Sequence, residues 1–520
     1  MRAADRATIE EFGVPSFALM ETAARGAFAA IEERYGNASG LAAVVLAGKG
    51  NNGGDALALA RMLAIAGARV LAVTTAGTDG TSTDCAHNLT LLDALEDDEL
   101  CLLDIERATD EGVPWEAIDR WRGGGAAARR EICIDGLLGI GASSALRGSV
   151  RDLAEMAGVF DDVVALDVPT GIHSDTGAVL DGHAVRADMT VAMGALKTGL
   201  VLGQGRTYAG EVVVVDIGIP PSILARGAEA PGGAWILGDS SVAALIPERT
   251  GQDHKFSVGQ LLVVAGSERY PGAAVLACRA AARVGAGYVT CLGSPRTVRA
   301  MDAGAPEVAC QARSEWTPSL VKSYSRAKAI LAGPGLASEA AEFVESALRD
   351  LPVPAVLDAD ALNAIAERGH TRDLAAWSGG RFVLTPHRGE LARLIGSYGE
   401  STPDGLSATE EAALWAERFE SVLVQKGSPT VIADPSGATF IAPAVEPSLA
   451  TAGSGDTLSG IIGGLLAQGM EPLDAAIAGV HIGLGAAAIA CEGRSPRGVI
   501  ASDITEALPE VLRERFGDGA

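Results

Sequence analysis

The residues AAVVLAGKGNNGGD (42–55) decide the fold of the first half of the chain. A short apolar run, typical of a buried strand, leads through a glycine-rich turn into a stretch typical of a helix. Similar runs alternate with helical stretches from end to end, and strands apolar on both faces indicate a mostly parallel sheet covered by helices. We therefore predict two three-layer α/β domains with right-handed crossovers.

The predicted strands fall in two groups. The first group comprises 42–47, 69–75, 131–135, 163–168, 189–193 and 211–217, and the second comprises 260–266, 327–333, 354–360, 381–385 and 422–427. Between them, Pro, Gly and Ala cluster without periodicity around 219–235, which indicates a linker. We place a first domain over 1–222, a linker over 223–237 and a second domain over 238–520.

The composition narrows the possible functions. The 520 residues are 48% hydrophobic and 21% charged, as in soluble globular domains, and the net charge of −25 argues against a nucleic-acid partner. The seven cysteines are scattered without a C-x-x-C pair, which favours reduced thiols in a cytoplasmic protein. Charged residues interrupt the apolar stretch 461–490, so we predict a pair of buried helices and no membrane span.

The glycine-rich turn formally matches G-x-G-x-x-G over 48–53, the fingerprint of a dinucleotide site. Two observations disfavour a conventional NAD dehydrogenase. The next strand ends in Thr74-Thr75 without the expected ribose-binding acid, and Asp55 stands where a phosphate would meet the helix. The polar run of residues 51–55 therefore indicates a different kind of site.

Carboxylates also follow two later strands. Asp135 closes EICID, and Asp167 lies in ALDVPTG (165–171). Because the carboxyl ends of parallel strands line one crevice, we expect Asn52, Asp135, Asp167 and Thr170 to converge. Their oxygen atoms suit a non-transition cation.

These motifs resemble the NAD(P)H-hydrate epimerase domain. The likeness covers about residues 2 to 222 and rests on LMETAARGA (19–27), NNGGD (51–55), DGLLGIG (135–141) and LDVPTGIHSDTG (166–177). It implies a K⁺ ion at Asn52, Asp135 and Thr170, and Asp167 as the base for inversion at C6 of the hydrated nicotinamide ring. The implied substrate contacts are Asn51, Asn52, Gly53, Gly54, Asp55, Gly139, Ile140, Gly141, Ala142, Ser143, Ser144, Ala145 and Asp167.

The chain departs from that family pattern in three ways. Ala56 replaces a usual Gly, and Ile140 replaces a usual Thr. The chain also begins directly at the first helix, without the short segment that commonly precedes it, which leaves open whether the true start lies upstream of Met1.

The second half carries TAGSGDTLSG (451–460) before an apolar helical run. Consecutive amides at a helix start attract phosphate oxygens, and Asp456 beside them can accept a proton from an attacking hydroxyl. Taken alone, this motif fits an Asp near a helix cap equally well.

A wider set of motifs resembles the ADP- or ATP-dependent NAD(P)H-hydrate dehydratase, which has a ribokinase-like fold. The set spans about residues 238 to 515 and consists of HKFSVG (254–259), GSERYPGA (266–273), GPGL (333–336), LDADALN (357–363), TPHRGEL (385–391) and QKGSPT (425–430). The resemblance implies ADP with Mg²⁺, and substrate contacts at Ala273, Gly335, His387 and Asp456. The implied nucleotide contacts are Lys426, Gly427, Ser428, Pro429, Thr430 and Gly455.

The expected function is metabolite repair in a cytoplasmic homo-oligomer. The R and S hydrates of NADH and NADPH interconvert at C6, and ADP-dependent dehydration of the S form releases AMP and phosphate. The sequence leaves ADP against ATP open, although the resemblance to fused bacterial-type chains favours ADP. The alternative is a small-molecule kinase of ribokinase-like fold fused to a non-catalytic dimerising scaffold domain.

Overall fold

The computed structural model describes residues 1–75, 80–95, 100–104, 115–123, 129–313, 324–351 and 353–517. The chain forms two compact units, Met1–Gly233 and Ala234–Ala520. Each unit is built around one sheet.

The sheet of the first unit has seven parallel strands in the order β3-β2-β1-β4-β5-β6-β7. The strands are β1 (Leu41–Ala47), β2 (Arg69–Thr74), β3 (Leu100–Asp104), β4 (Arg130–Gly136), β5 (Val163–Leu166), β6 (Met189–Met193) and β7 (Glu211–Val215). The helices are α1 (Arg2–Glu10), α2 (Ser16–Tyr35), α3 (Asn51–Ile65), α4 (Thr83–Asp93), α5 (Trp115–Gly123), α6 (Gly148–Ala157), α7 (Thr198–Val201), α8 (Gly205–Tyr208) and α9 (Pro221–Glu229).

Alternate residues of the central strand β1 bury into two apolar layers. Ala43 and Val45 pack in the layer that contains α2 and α3, whereas Val44 and Leu46 pack in the layer that contains α6. Helices therefore cover both faces of the sheet. The strand order reverses between β1 and β4, which is where parallel sheets open a crevice for a ligand.

The sheet of the second unit has nine strands in the order β10-β9-β8-β11-β12-β13-β14-β15-β16. Neighbours are parallel from β10 to β14, and β15 and β16 extend the sheet in antiparallel pairing. The strands are β8 (Gln260–Val264), β9 (Tyr288–Gly293), β10 (Ala309–Ala312), β11 (Ala327–Ala332), β12 (Ala355–Leu357), β13 (Phe382–Leu384), β14 (Val422–Gln425), β15 (Val431–Ala433) and β16 (Thr439–Ile441).

Twelve helices of the second unit are described. They are α10 (Asp239–Ala243), α11 (Lys255–Val258), α12 (Pro271–Arg283), α13 (Pro295–Gly304), α14 (Glu339–Ser346), α15 (Asp360–Glu367), α16 (Leu374–Ser378), α17 (Arg388–Tyr398), α18 (Ala408–Phe419), α19 (Ser454–Ala467), α20 (Pro472–Cys491) and α21 (Ala501–Phe516).

The predicted pair of buried helices is confirmed as α19 and α20. Gly460 lets α19 approach α12 closely, since a Cβ there would lie 2.2 Å from the carbonyl oxygen of Ala277. In the described part of the chain, α20 alone has the length and hydropathy of a membrane span, yet 78% of its most apolar window is buried within the structure. Most of α20 therefore belongs to the core of the second unit.

The α/β class and the predicted strands are confirmed, and the structure adds five strands that the patterns missed. These are β3, β9, β10, β15 and β16. The two units divide after Gly233, inside the predicted linker 223–237, but the linker is not irregular throughout, because α9 occupies Pro221–Glu229. Proline is tolerated in the first turn of a helix, and Ile223 is buried against the first unit's core.

Candidate active sites

A cavity of about 690 Å³ lies at the carboxyl ends of the central strands in the first unit. Its wall includes most of the predicted epimerase contacts, namely Asn51, Asn52, Asp55, Gly139, Ile140, Gly141, Ala142, Ser143, Ser144, Ala145 and Asp167. Gly53 and Gly54 do not line it. A Cβ on Gly53 would lie 1.9 Å from the carbonyl oxygen of Gly48, so the turn has no room for a side chain at this position.

Asp167 follows β5 in a backbone conformation that side chains rarely adopt, with φ of 65°. Its carboxylate forms an ion pair with Lys197, a lysine whose side chain is only 4% exposed. The Lys197 ammonium also donates to the carbonyl oxygen of Met193 at 2.7 Å. A buried ammonium needs such partners, and the pair fixes the carboxylate in the cavity wall. Sequence reasoning missed Lys197, because no motif joins it to Asp167.

Three further carboxyl groups line the same cavity, those of Asp5, Asp55 and Asp84. The Asp55 side chain forms no hydrogen bond or ion pair with any residue that the structure describes. Burial, and secondly the charge of Asp167, raise the pKa of Asp55 well above its usual range. Burial is also the largest cause of the raised pKa of Asp5. The cavity therefore holds carboxyl groups that retain protons more readily than exposed ones.

Asp135 and Thr170 meet as the strand-end argument predicts. The Thr170 hydroxyl donates to Asp135 Oδ1 at 2.7 Å, and the Thr170 amide donates to Oδ2 at 2.8 Å. Burial raises the pKa of Asp135 to about 6, against the lowering effect of these hydrogen bonds.

The backbone of Asn52 lies close to this pair, and its side-chain amide is left unsatisfied. Neither its amide oxygen nor its amide nitrogen has a hydrogen-bond partner among the described residues, although both atoms are buried. A Cβ added to Gly136, next to Asp135, would lie 3.1 Å from the Asn52 carbonyl oxygen, so the two segments are in close contact. An unpaired buried amide costs about 1–3 kcal/mol, which a bound ligand would offset.

In the second unit, α19 begins at the glycine-rich motif, with Gly453 in the left-handed conformation (φ 90°) as its N-cap. Asp456 lies in its first turn, and its carboxylate has no hydrogen bond or ion pair within the described chain. Burial, followed by the charge of Asp358, raises the pKa of Asp456 to about 7. Its neighbour Gly455 packs close to Lys426, whose Nζ would lie 3.4 Å from an added Cβ.

Lys426 is the centre of a charge cluster. Its ammonium donates to Asp358 Oδ1 at 2.8 Å and lies 3.9 Å from Glu390 Oε2. Burial alone would lower the pKa of Lys426, but the charges of Asp358, Glu390 and Asp456 raise it. Asp358 and Glu390 lie in the motifs LDADALN and TPHRGEL, but the sequence alone singles out neither residue. Only the fold brings both of them to Lys426.

His387 has a structural role in the helix that follows it. Its Nδ1 accepts hydrogen bonds from the amides of Gly389 at 2.9 Å and Glu390 at 3.3 Å, while Glu390 Oε2 accepts from the His387 amide at 2.8 Å. This capping box at the start of α17 fixes the ring, and 55% of the side chain stays exposed. A substrate contact through the exposed edge of the ring stays a prediction.

The predicted substrate residues Ala273 and Gly335 are brought together. A Cβ on Gly335, which has φ of 64°, would lie 2.9 Å from the Cβ of Ala273. A side chain at Gly335 would therefore collide with the start of α12.

A separate cavity of about 380 Å³ lies beside Lys426. Gly427, Ser428, Thr430 and Gly455 line one part of it, and aliphatic side chains such as Leu449 and Leu484 line the rest. Five of the six predicted nucleotide contacts thus share one cavity, and Pro429 is not among its lining residues. A polar end beside an apolar slot suits a phosphate chain joined to a base.

Two family models match the chain, NAD(P)H-hydrate dehydratase over residues 261–510 and YjeF-related protein N-terminus over 16–199. A bifunctional NAD(P)H-hydrate repair enzyme from Salinibacter ruber is 45% identical, with 100% of this chain and 96% of the relative covered. The chain belongs to the bifunctional NAD(P)H-hydrate repair enzyme family. A member of this family from Coxiella burnetii is 35% identical, covering 97% of this chain and 96% of its own.

Membership in the bifunctional NAD(P)H-hydrate repair enzyme family assigns the epimerase domain to the first unit and the ribokinase-like dehydratase domain to the second. A solved ADP/ATP-dependent NAD(P)H-hydrate dehydratase from Bacillus subtilis, co-crystallised with ATP and Mg²⁺, is 27% identical. The match covers 54% of this chain and 99% of that chain, with a TM-score of 0.44. The predicted family is confirmed for both halves, which disfavours a kinase joined to an unrelated scaffold.

Proposed function

We propose that the chain repairs hydrated NADH and NADPH with two sites. The first unit interconverts the R and S hydrates at C6, and the second dehydrates the S form with ADP, releasing AMP and phosphate. The observation that carries this proposal is the half-buried carboxylate of Asp456 in the first turn of α19, near Lys426, which has no side-chain partner among the described residues. Incubating purified S hydrate with ADP, with ATP or without nucleotide tests it, since recovery of NADH absorbance must require nucleotide.

In the epimerase site, the hydrate carries its hydroxyl on a carbon bonded to the ring nitrogen. The nitrogen lone pair expels the protonated hydroxyl as water, and water then adds to the other face of the resulting iminium ion. Asp167 takes the proton from the incoming water, and Lys197 keeps that carboxylate in place. Asp55, whose pKa burial raises, is suited to protonate the leaving hydroxyl.

The residues around Asn52 fit the K⁺ ion that the family resemblance implies. The unpaired Asn52 amide oxygen and the buried Asp135 carboxylate supply hard oxygen donors, with Thr170 beside them. When bound, K⁺ would supply positive charge that offsets the Asp135 carboxylate. The protein's own residues carry the proton transfers.

Replacing K⁺ by Li⁺ at equal ionic strength should lower the melting temperature of the protein by a few degrees. A ligand at about 100 times its dissociation constant stabilises the folded state by about 2.7 kcal/mol. Differential scanning fluorimetry of the Asn52→Leu variant should show no K⁺-dependent shift, whereas the neighbouring Asn51→Leu variant should keep it. Equal K⁺ shifts in both variants would contradict this site.

In the dehydratase site, Asp456 takes the proton of the C6 hydroxyl as its oxygen attacks the terminal phosphoryl group of ADP. The α19 amides and Lys426 stabilise the charge on that group. The ring nitrogen then expels phosphate, and loss of a C5 proton restores the dihydropyridine ring. The carboxylates of Asp358 and Glu390 near Lys426 would hold the Mg²⁺ ion of the nucleotide, which would offset phosphate charge.

Dehydration should slow as the pH falls below about 7, because Asp456 must be ionised to act as a base. A proton occupies its carboxylate below that pKa, so kcat/KM should drop about tenfold per pH unit in the acid limb. Initial rates with purified S hydrate between pH 5 and 9 measure this, with nucleotide binding measured in parallel as the control. A rate that stays flat down to pH 5 would argue against this role.

We also place the enzyme in the cytoplasm as a homo-oligomer. All seven cysteines are free thiols in the structure, which supports a reducing compartment. The oligomeric state rests on the family resemblance.

A further inference from the structure

The cavity of the first unit has acidic side chains at its floor and arginines at its rim. Asp55 and Asp167 lie at its floor with relative exposures of only 8% and 9%. Two arginines of its wall, Arg2 and Arg147, are exposed to solvent. Two acidic side chains therefore lie deep in the cavity, and two guanidinium groups lie at its exposed edge. The half-buried carboxyl groups of Asp5 and Asp84 also line the wall.

Arg2 lies across the loop of residues 139–145 that forms one wall. Its guanidinium donates to the carbonyl oxygen of Ile140 at 3.1 Å. The same nitrogen would lie 3.4 Å from a Cβ on Gly141, so the arginine and the loop backbone are in close contact. The guanidinium has five N–H donors, and the others have no partner in the described chain.

Arg147 ends the same loop and is the N-cap of the ten-residue helix α6. It forms no hydrogen bond or ion pair with the residues that the structure describes. No side chain caps α6, and its first turn contains no acidic residue. The positive end of the helix dipole therefore adds to the charge of Arg147 at the rim.

The remaining cation of the cavity cannot serve an anionic ligand in the same way. Lys197 is buried and already bound to Asp167 and the Met193 carbonyl oxygen. Among the cationic side chains of the described lining residues, only those of Arg2 and Arg147 are then available for phosphate. The hydrated dinucleotide carries a pyrophosphate, which the carboxylates of the floor would repel.

We propose that Arg2 and Arg147 bind the substrate's pyrophosphate at the cavity mouth, leaving the nicotinamide half inside and the adenosine half outside. Guanidinium groups suit this task because they form paired, charge-assisted hydrogen bonds with phosphate. This inference rests on the proposed epimerase function. In this proposal the two arginines orient the substrate and take no part in proton transfer.

The test uses three single variants of the full chain. Arg2→Gln and Arg147→Gln change the rim, and Arg25→Gln is the matched control, since Arg25 is exposed on α2 and does not line the cavity. Each rim variant should raise the KM for epimerisation about tenfold, with kcat within about twofold of the wild-type value. The inhibition constant of inorganic pyrophosphate should rise by a similar factor. The Arg25→Gln variant should change neither constant.

Several outcomes would overturn the inference. An unchanged KM in both rim variants would do so, and so would a fall in kcat with KM and pyrophosphate inhibition unchanged. Circular dichroism and thermal unfolding exclude a folding defect, and Arg2→Lys should recover part of the affinity if charge is what matters. If the wild-type chain itself fails to epimerise the hydrates, the proposed function fails instead, so the two failures are distinguishable.

Discussion

The Asp456→Asn variant should lose dehydration by about three orders of magnitude, the range measured for removing a general base with its electrostatic support. The substitution preserves the shape of the side chain but removes its ability to accept the hydroxyl proton. Stopped or continuous assays of NADH absorbance with purified S hydrate and saturating ADP measure the loss.

The controls for this variant separate chemistry from folding. Asp474→Asn changes another first-turn aspartate, on the adjacent helix α20, that is not part of the charge cluster around Lys426, and it should keep full activity. Nucleotide binding to the Asp456→Asn variant should persist, because Lys426 and the α19 amides remain. A variant that dehydrates at the wild-type rate would remove Asp456 from the mechanism.

The second large effect is expected for Asp167→Asn, which should slow epimerisation about 10²- to 10⁴-fold while leaving dehydration of the S hydrate intact. Removing one member of a buried ion pair also costs stability, on the order of 3–5 kcal/mol, because Lys197 would lose its partner. The double variant Asp167→Asn with Lys197→Met removes the unpaired charge and should recover stability without recovering epimerisation.

Asp175→Asn is the matched control for that substitution. Asp175 lies in the same motif as Asp167, but it is exposed and does not line the cavity. Chromatographic separation of the R and S hydrates over time gives the epimerisation rate directly. Loss of epimerisation in Asp175→Asn as well, or its recovery in the double variant, would contradict the assignment to Asp167.

The sequence predicted the parts of the sites that lie next to strand ends. Asp135 and Thr170 follow neighbouring strands, so the rule for parallel sheets was sufficient to bring them together, and the hydrogen bonds between them confirm it. The same rule placed Asn52 and Asp167 in the wall of one cavity.

The partners that tune these residues could not be predicted in the same way. Lys197 lies 30 positions after Asp167, and Lys426 meets Asp358 across 68 positions, with no spacing that signals either contact. Sequence patterns carry local periodicity, whereas an ion pair of this kind depends on how whole strands and helices pack. The missed strands have a related cause, since β10, β15 and β16 are only three or four residues long.

The central claim is that one chain holds an epimerase and a nucleotide-dependent dehydratase that together repair both hydrates. The most direct test is the recovery of NADH absorbance from a mixture of R and S hydrates on adding ADP. The wild-type chain should convert the whole mixture to NADH. The Asp167→Asn variant should convert the S hydrate rapidly and leave the R hydrate, and the Asp456→Asn variant should recover almost no NADH. Complete, equally fast recovery by Asp167→Asn, or recovery without nucleotide by the wild-type chain, would contradict the account.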